Sequence, residues 1–132
     1  MLKKILIALL VVLGLNTSTL QAESSAPSFE GQDWKLVSFG SKGMAVPKNA
    51  WIHFENGRYS GNAGCNGMGG SYTLDGNKIT LSQGMSTLMA CDDMSLETKI
   101  RALMSKVTSY VLKDKQLILM HDNHAILNFI QK

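Results

Sequence analysis

The sequence predicts an α+β fold in which about 7–8 short strands form a strongly curved antiparallel β-sheet or a partly open β-barrel, with one helix packed against it. Short runs of strand-forming residues alternate with turn signals along most of the chain. Beyond the N-terminal region, the hydrophobic spacing becomes helical in one segment, at about residues 93–107. A chain of 132 residues is long enough for one domain with a single modest core.

Two consecutive hairpins are the strongest strand signals. Asn56-Gly57 favours the tight turn of a hairpin, and Asp75-Gly76-Asn77 tolerates the positive φ angles that turns require. The apolar residues after the second turn alternate with polar ones, so one side of the sheet is expected to face water. The predicted strands span residues 34–39, 51–55, 58–60, 70–74, 78–82, 109–113, 116–120 and 124–130, with a further short strand at 85–89.

The predicted helix rests on one apolar stripe. Its members recur at helical spacing and are Leu96, Ile100, Leu103, Met104 and Val107. We place the charged residues Glu97, Lys99 and Arg101 outside this stripe. Asp92 or Asp93 is expected to cap the first turn and to oppose the positive end of the helix dipole.

The N-terminus has the pattern of a secretory signal peptide. Lys3 and Lys4 precede an apolar run from Ile5 to Leu15, and a polar stretch then ends at Ala22. The apolar run is too short to span about 30 Å of hydrocarbon as a helix, although an uncleaved anchor is the alternative. We therefore divide the chain into a signal peptide at 1–22, a flexible N-terminus at 23–32 and a domain at 33–132.

The charge balance excludes two classes of partner. Removing residues 1–22 takes Lys3 and Lys4 from 13 basic side chains and nothing from the 10 acidic ones, which leaves a net charge of +1. A nearly neutral domain has no electrostatic footprint for nucleic acid or for a membrane surface. We expect a soluble monomer in the periplasm, with no stable membrane insertion.

Cys65 and Cys91 are the only cysteines. An even pair in an exported chain favours a disulfide, which would close a loop of about 27 residues and be worth about 3.5 kcal/mol. The alternatives are two buried free thiols, or a thiol enzyme in which His53, His121 or His124 acts as base. The cysteines and histidines lack the spacing of a metal site, and the glycines lack the lysine of a phosphate loop, so we expect no metal and no cofactor.

Glycine makes up five of the ten residues from Gly61 to Gly70, which predicts a tight corner where the backbone visits positive φ or approaches another segment. Asn62 and Asn66 lie in this run. Their amides either satisfy local backbone groups or present hydrogen bonds to a partner.

The pairing of Ser60-Gly61-Asn62-Ala63-Gly64-Cys65-Asn66 with Ser86-Thr87-Leu88-Met89-Ala90-Cys91 resembles the META domain, the HslJ-like family of small bacterial envelope proteins. The resemblance extends from about Trp34 to Phe129. It implies a role in heat-shock and antibiotic stress and a likeness to small pilot proteins that hold hydrophobic partners. Many relatives carry a lipid anchor, but this chain has no cysteine near the expected cleavage site.

We therefore expect a non-enzymatic envelope protein that binds a hydrophobic ligand or a protein partner in an apolar groove of about 300 Å³ or more between sheet and helix. The alternatives are an inhibitor of an exported hydrolase, with the 61–70 loop as a rigid probe, and the thiol-dependent enzyme. The motif positions that could contact a partner are Asn62, Gly64, Asn66, Gly67, Gly70, Thr87 and Met89.

Overall fold

The computed structural model describes residues 28–40, 46–87, 91 and 94–132. The predicted signal peptide, the motif residue Met89 and the proposed capping residues Asp92 and Asp93 lie outside the described residues. The elements are β1 (Asp33–Phe39), β2 (Trp51–Glu55), β3 (Arg58–Asn62), β4 (Gly67–Asp75), β5 (Lys78–Leu81), β6 (Met85–Ser86), α1 (Ser95–Met104), β7 (Ser109–Lys113), β8 (Gln116–His121) and β9 (His124–Gln131).

Eight of the described strands form a closed antiparallel barrel. They run in the order β3-β2-β1-β9-β8-β7-β5-β4, and pairing of β3 with β4 closes the ring. The short strand β6 pairs with β4 at the end of this sheet. The predicted α+β fold with a barrel-like sheet is confirmed, and the barrel is closed.

The hairpin turns follow the local chemistry of the sequence. Asn56 has a φ of 54° and leads β2 into β3, while Asp114 and Asp122 have φ angles of 51° and 54° in the two later turns. Asparagine and aspartate tolerate this left-handed conformation better than other residues that carry a Cβ atom. These turns set the register of each hairpin.

The core fills the barrel with aromatic and aliphatic side chains. Phe29 and Phe54 pack edge to face with ring centroids 5.1 Å apart, and Tyr72 meets Phe54 at 5.2 Å. Such edge-to-face pairs add to the free energy gained by burying the rings. Strand β8 contributes Leu117 and Leu119, which are fully buried.

Residues 28–32, which the sequence assigned to a flexible N-terminus, pack against the barrel. Phe29 is only 2% exposed, and its carbonyl accepts a hydrogen bond of 2.8 Å from the Trp34 indole N–H. The hydroxyl of Tyr72 donates to the carboxylate of Glu30. The polar residues around Phe29 obscured this contribution to the core.

Helix α1 is shorter than the predicted 93–107 segment. It begins at Ser95, and the residue at its N-cap is Met94, which makes no side-chain capping hydrogen bond. The buried faces of Ile100 and Met104 close over the barrel core, where they border a cavity of about 10 Å³ that is also lined by Phe129. Within the described residues, no helix has the length and apolar character needed to cross a membrane.

His53 connects β1 and β2 through two carboxylates. Its Nδ1 lies 2.7 Å from Asp33 Oδ1, and its Nε2 lies 2.8 Å from Glu55 Oε1. The hydrogen bonds to Glu55 and Asp33 raise the pKa of His53 above its ordinary value of 6.5. The protonated imidazole can donate to both carboxylates at once, whereas the neutral ring has one N–H.

We expect this cluster to make the stability of the protein depend on pH. Because the folded-state pKa of His53 is raised, the contribution of His53 to the free energy of unfolding is fully present below pH 6.5 and is lost as the pH rises through the folded-state pKa. Urea unfolding over this range should show the free energy of unfolding falling with pH. His53→Gln should flatten that fall, and an unchanged slope in the variant would assign it to another group.

Candidate functional site

The carboxylate of Glu97, on helix α1, lies at the centre of the Gly-Cys-Asn loop in space, although the two are far apart in the sequence. Glu97 is 3% exposed. Its Oε1 accepts hydrogen bonds from the backbone N–H groups of Cys65 (3.1 Å) and Asn66 (2.7 Å), and its Oε2 accepts one from Asn66 Nδ2 (2.7 Å). Three donors from one loop therefore surround a single buried acid.

These contacts decide the charge of the acid. Burial by itself raises the pKa of Glu97, but the hydrogen bonds from the Asn66 side chain and from the backbone of Asn66 and Cys65 lower it. The positive charge of Arg101 acts in the same direction, and the net result is a pKa below the ordinary value. Glu97 is thus a buried carboxylate that is ionised at neutral pH.

Asn66 and Thr87 extend this network to the other motif. The hydroxyl of Thr87 donates to Asn66 Oδ1 at 2.8 Å and accepts from the N–H of Gly67 at 3.2 Å. The backbone N–H of Thr87 also donates to the Gly67 carbonyl at 3.0 Å. These bonds hold the segment after β6 against the start of β4.

Asn62 has a local role in the same loop. Its Oδ1 accepts from the N–H of Gly64 at 2.7 Å, and its Nδ2 donates to the Cys65 carbonyl at 3.5 Å. Gly64 has a φ of +132°, and a Cβ atom there would lie 3.0 Å from the ring of Pro47. The amide and the glycine together fix the turn that presents Cys65 to its partner.

Cys65 and Cys91 form a disulfide, as the pair of cysteines predicted. Their Cα atoms are 6.4 Å apart, within the usual range for a disulfide, and they are separated by 26 positions. The bond ties the loop after β3 to the segment that precedes α1. The disulfide and Glu97 thus hold the same loop from two directions.

Only part of the glycine-rich run from Gly61 to Gly70 forms the predicted tight corner. Gly67 and Gly70 belong to β4 rather than to a loop, so the predicted corner shrinks to the residues between β3 and β4. Gly70 lies against Tyr59, where a Cβ atom would come within 2.8 Å of the ring. The glycine there provides space for an aromatic side chain.

Glu97 lies on the buried face of the helix, contrary to the prediction from the sequence. We put it outside the apolar stripe because of its charge, and the structure buries it. It lies three residues before Ile100 and seven before Met104, so helical spacing alone puts it on the buried face. A charged residue at a core position was the signal that could have indicated a buried network.

A cleft of about 270 Å³, here named the β6–α1 cleft, opens between the helix and the end of the sheet. Arg101 spans part of it, since its Nη1 donates to Ser86 Oγ at 3.0 Å. The cleft lies where we expected a groove, but it is slightly smaller than 300 Å³ and charged groups share its walls. Its lining residues are Tyr59, Met68, Ser82, Gln83, Gly84, Met85, Met94, Glu97, Thr98, Arg101, Ala102, Met104 and Ser105.

A second, shallower hollow of about 420 Å³, here named the outer depression, lies on the other side of Met85. Met85 is 85% exposed, and Met68 and Met85 border both hollows. Trp51 forms one wall, with Lys132 Nζ 5.9 Å from its ring centroid. The motif positions Gly67 and Thr87 also line this depression.

The fold and the site define a small closed-barrel domain whose Gly-Cys-Asn loop is fixed by a disulfide and a buried helical carboxylate. The META domain family matches residues 27–132, and the chain belongs to this family. None of the curated proteins compared with the chain matches it.

Solved structures share the fold. A protein from Burkholderia xenovorans, determined by NMR, is 23% identical, with a TM-score of 0.62 over 85% of this chain and 95% of its own. A DUF4847 family protein from Bacteroides vulgatus ATCC 8482, determined by crystallography, is 16% identical, with a TM-score of 0.61 over 77% and 93%. At these identities the likeness extends to the fold alone.

We expect Glu97→Gln to destabilise the protein by about 1–3 kcal/mol, because the new amide group opposes N–H donors of the loop and leaves buried groups unpaired. Urea unfolding measures the change. Lys99→Gln, at an exposed position of the same helix, is the matched control and should stay within about 0.5 kcal/mol of the parent.

The same pair of variants has a second readout. Because the folded-state pKa of Glu97 is lowered, the contribution of Glu97 to the free energy of unfolding is present above pH 4.5, the ordinary pKa of the group. It is lost as the pH falls through the folded-state pKa. Glu97→Gln should lack that part of the acid-induced loss. Equal acid profiles in both variants would contradict an ionised Glu97.

We expect the double variant Cys65→Ser/Cys91→Ser to lose about 3.5 kcal/mol of unfolding free energy, because the unfolded chain gains the freedom of a loop that the bond otherwise closes. Urea unfolding with and without a reductant tests this. The reductant should weaken the parent protein and leave the variant unchanged. Equal stability of parent and variant would show that the bond constrains nothing.

Proposed function

We propose that the protein is a non-enzymatic, exported binding module that holds an extended apolar segment of a partner protein in the outer depression. The observation that carries this proposal is Met85, which is 85% exposed in a strand of the sheet between two hollows. An exposed large apolar side chain flanked by Trp51 and Met68 is typical of an interaction surface.

The chemistry of the side chains suits an apolar partner. Trp51 supplies a large, rigid contact surface, and tryptophan is enriched among the residues that dominate binding energy. Met68 and Met85 are flexible thioethers that adapt to irregular apolar shapes. The depression therefore combines one fixed wall with two adaptable ones.

The backbone around Met85 suits an extended partner. Strand β6 is the last strand of the described sheet, so a partner segment can add alongside it as another strand. Hydrogen bonds from Thr87 to Gly67 and from Arg101 to Ser86 hold this strand in place before binding. A surface that is already ordered loses less conformational entropy when a partner binds.

Two features support an envelope location. A disulfide such as Cys65–Cys91 persists in oxidising compartments, and the N-terminal pattern is that of a signal peptide. The stress role comes from the resemblance to the HslJ-like family, and we propose a monomer that binds its partner in heat or antibiotic stress. A deletion strain that regains tolerance with the parent protein, but not with Trp51→Ala, tests this role.

The alternatives have weaker support. A thiol enzyme needs a free thiolate, and both cysteine sulfurs are engaged with each other. A loop that inhibits a hydrolase needs polar groups that point outward to contact the enzyme. Asn66 is instead buried and donates a hydrogen bond to Glu97. We therefore assign Asn62, Gly64 and Asn66 to the support of the loop.

We expect a fluorescently labelled peptide of alternating leucine and threonine to bind the protein, and a matched peptide with serine in place of leucine not to bind. Fluorescence anisotropy measures both. Trp51→Ala and Met85→Ser should each weaken binding at least about tenfold, because each removes an anchor of the depression.

Leu74→Ser is the control for this experiment. Leu74 is 42% exposed on β4 and does not line the depression, so its loss should leave binding unchanged. Equal weakening by Leu74→Ser, or equal binding of the two peptides, would contradict the proposed surface.

A further inference from the structure

Two lysines lie beside the tryptophan wall of the outer depression. Lys35 on β1 is directly opposite Trp51 on β2 in the register of the two strands. Side chains of directly opposite residues stand on the same face of a sheet, with their Cβ atoms about 5 Å apart. Lys132, which follows β9, reaches the same place, and its Nζ lies 5.9 Å from the Trp51 ring centroid. One side of the depression is therefore bordered by basic side chains.

The fold determines where both lysines are attached. Lys35 alternates along β1 with the buried residues Trp34 and Leu36, so its side chain is on the outer face of the barrel. The backbone N–H of Lys132 donates to the carbonyl of Asp33 at 3.0 Å, which holds Lys132 beside β1. Stacking of the ammonium group on an indole ring further restricts Lys132. Both side chains therefore start from fixed points next to Trp51.

Neither lysine is neutralised by the part of the chain that the structure describes. The ion pairs in that part all involve His53 or His121, and no carboxylate there lies within 4.0 Å of Lys35 Nζ or Lys132 Nζ. Asp33 is on the same face of β1 as Lys35, but its Oδ1 lies 2.7 Å from His53 Nδ1. The two ammonium groups are thus available to the carboxylates of a partner.

The charge of this border constrains the partner. The described residues that line the outer depression are all uncharged, so the lysines beyond Trp51 determine the sign of the charge on that side. Complementary charges at the edge of an interface favour the correct partner, and like charges disfavour the wrong one. A segment with acidic residues next to its apolar stretch therefore fits this surface, whereas a segment with basic residues there is repelled.

We propose that the partner segment has two parts: an apolar stretch that occupies the outer depression, and adjoining acidic residues that pair with Lys35 and Lys132. This inference rests on the proposed function, because it names the chemistry of the segment that the depression holds. Exposed ion pairs are individually weak, so the apolar stretch supplies most of the affinity. The acidic residues select the partner and the direction in which it binds.

The test extends the peptide of alternating leucine and threonine with a short run of glutamate, lysine or glutamine, placed at either the N-terminal or the C-terminal end. Fluorescence anisotropy measures the affinity of each peptide. We expect glutamate to tighten binding about three- to tenfold relative to glutamine at one end only, because the lysines border one side of the depression. Lysine at that end should weaken binding, and about 0.5 M salt should remove both effects.

Charge-reversal variants assign the effect to the two lysines. In Lys35→Glu/Lys132→Glu the lysine-extended peptide should bind more tightly than the glutamate-extended one. Such a gain separates a charge effect from a loss of folding, since an unfolded variant gains no partner. Lys99→Glu/Lys106→Glu, at exposed positions on and just after α1, changes the net charge equally and should leave the ranking of the peptides as in the parent.

Equal affinity of the glutamate and glutamine extensions at both ends would overturn the inference, as would an unchanged ranking in Lys35→Glu/Lys132→Glu. Binding of the unextended peptide would in that case still support the proposed function. The converse result is equally distinct. If only the glutamate-extended peptide binds and charge reversal inverts the ranking, the acidic partner stands and the apolar depression is rejected as a binding surface.

Discussion

A buried, ionised carboxylate needs hydrogen-bond donors wherever it lies, and Glu97 obtains them from one loop. Three donors from Cys65 and Asn66 converge on its two oxygens. Removing such donors from a charge in the protein interior costs more than the net value of any one hydrogen bond. The position of helix α1 and the conformation of the Gly-Cys-Asn loop therefore depend on each other.

This dependence explains why so many polar residues of the motif are turned inward. Asn66 donates to Glu97 and accepts from Thr87, and Asn62 satisfies the turn at Gly64. A polar network that is fully satisfied rigidifies its surroundings. In the proposed function, contact with a partner therefore falls to the neighbouring apolar side chains Trp51 and Met85.

The barrel is paired least extensively between β5 and β7. Strands β5 and β7 share one registered pair, Lys78 with Ser109, and the bonds Ile79 N to Thr108 O (3.1 Å) and Tyr110 N to Asn77 O (2.9 Å). Helix α1 lies between β6 and β7 in the chain, next to this seam in sequence. Helix α1 contributes Ile100 and Met104 to the core and also forms one wall of the β6–α1 cleft.

The sequence by itself determined the elements whose causes are local. Asn56-Gly57 and Asp75-Gly76-Asn77 specified two hairpins because turn residues act on their own backbone, and the spacing of Ile100 and Met104 specified a helix. The pair of cysteines favoured a disulfide over free thiols because an even count in a chain predicted to be exported is typical of one, and the two residues are bonded.

Only the tertiary structure decided what depends on distant segments. Burial of Glu97 requires donors 31 and 32 positions away, and burial of Phe29 requires the aromatic rings of β2 and β4. Closure of the ring by β3 and β4, and the meeting of β6 and α1 at one cleft, arise where elements pack together. The residue pattern of a segment reveals the secondary structure of that segment. Which other segment it packs against depends on the free energy of packing between the two.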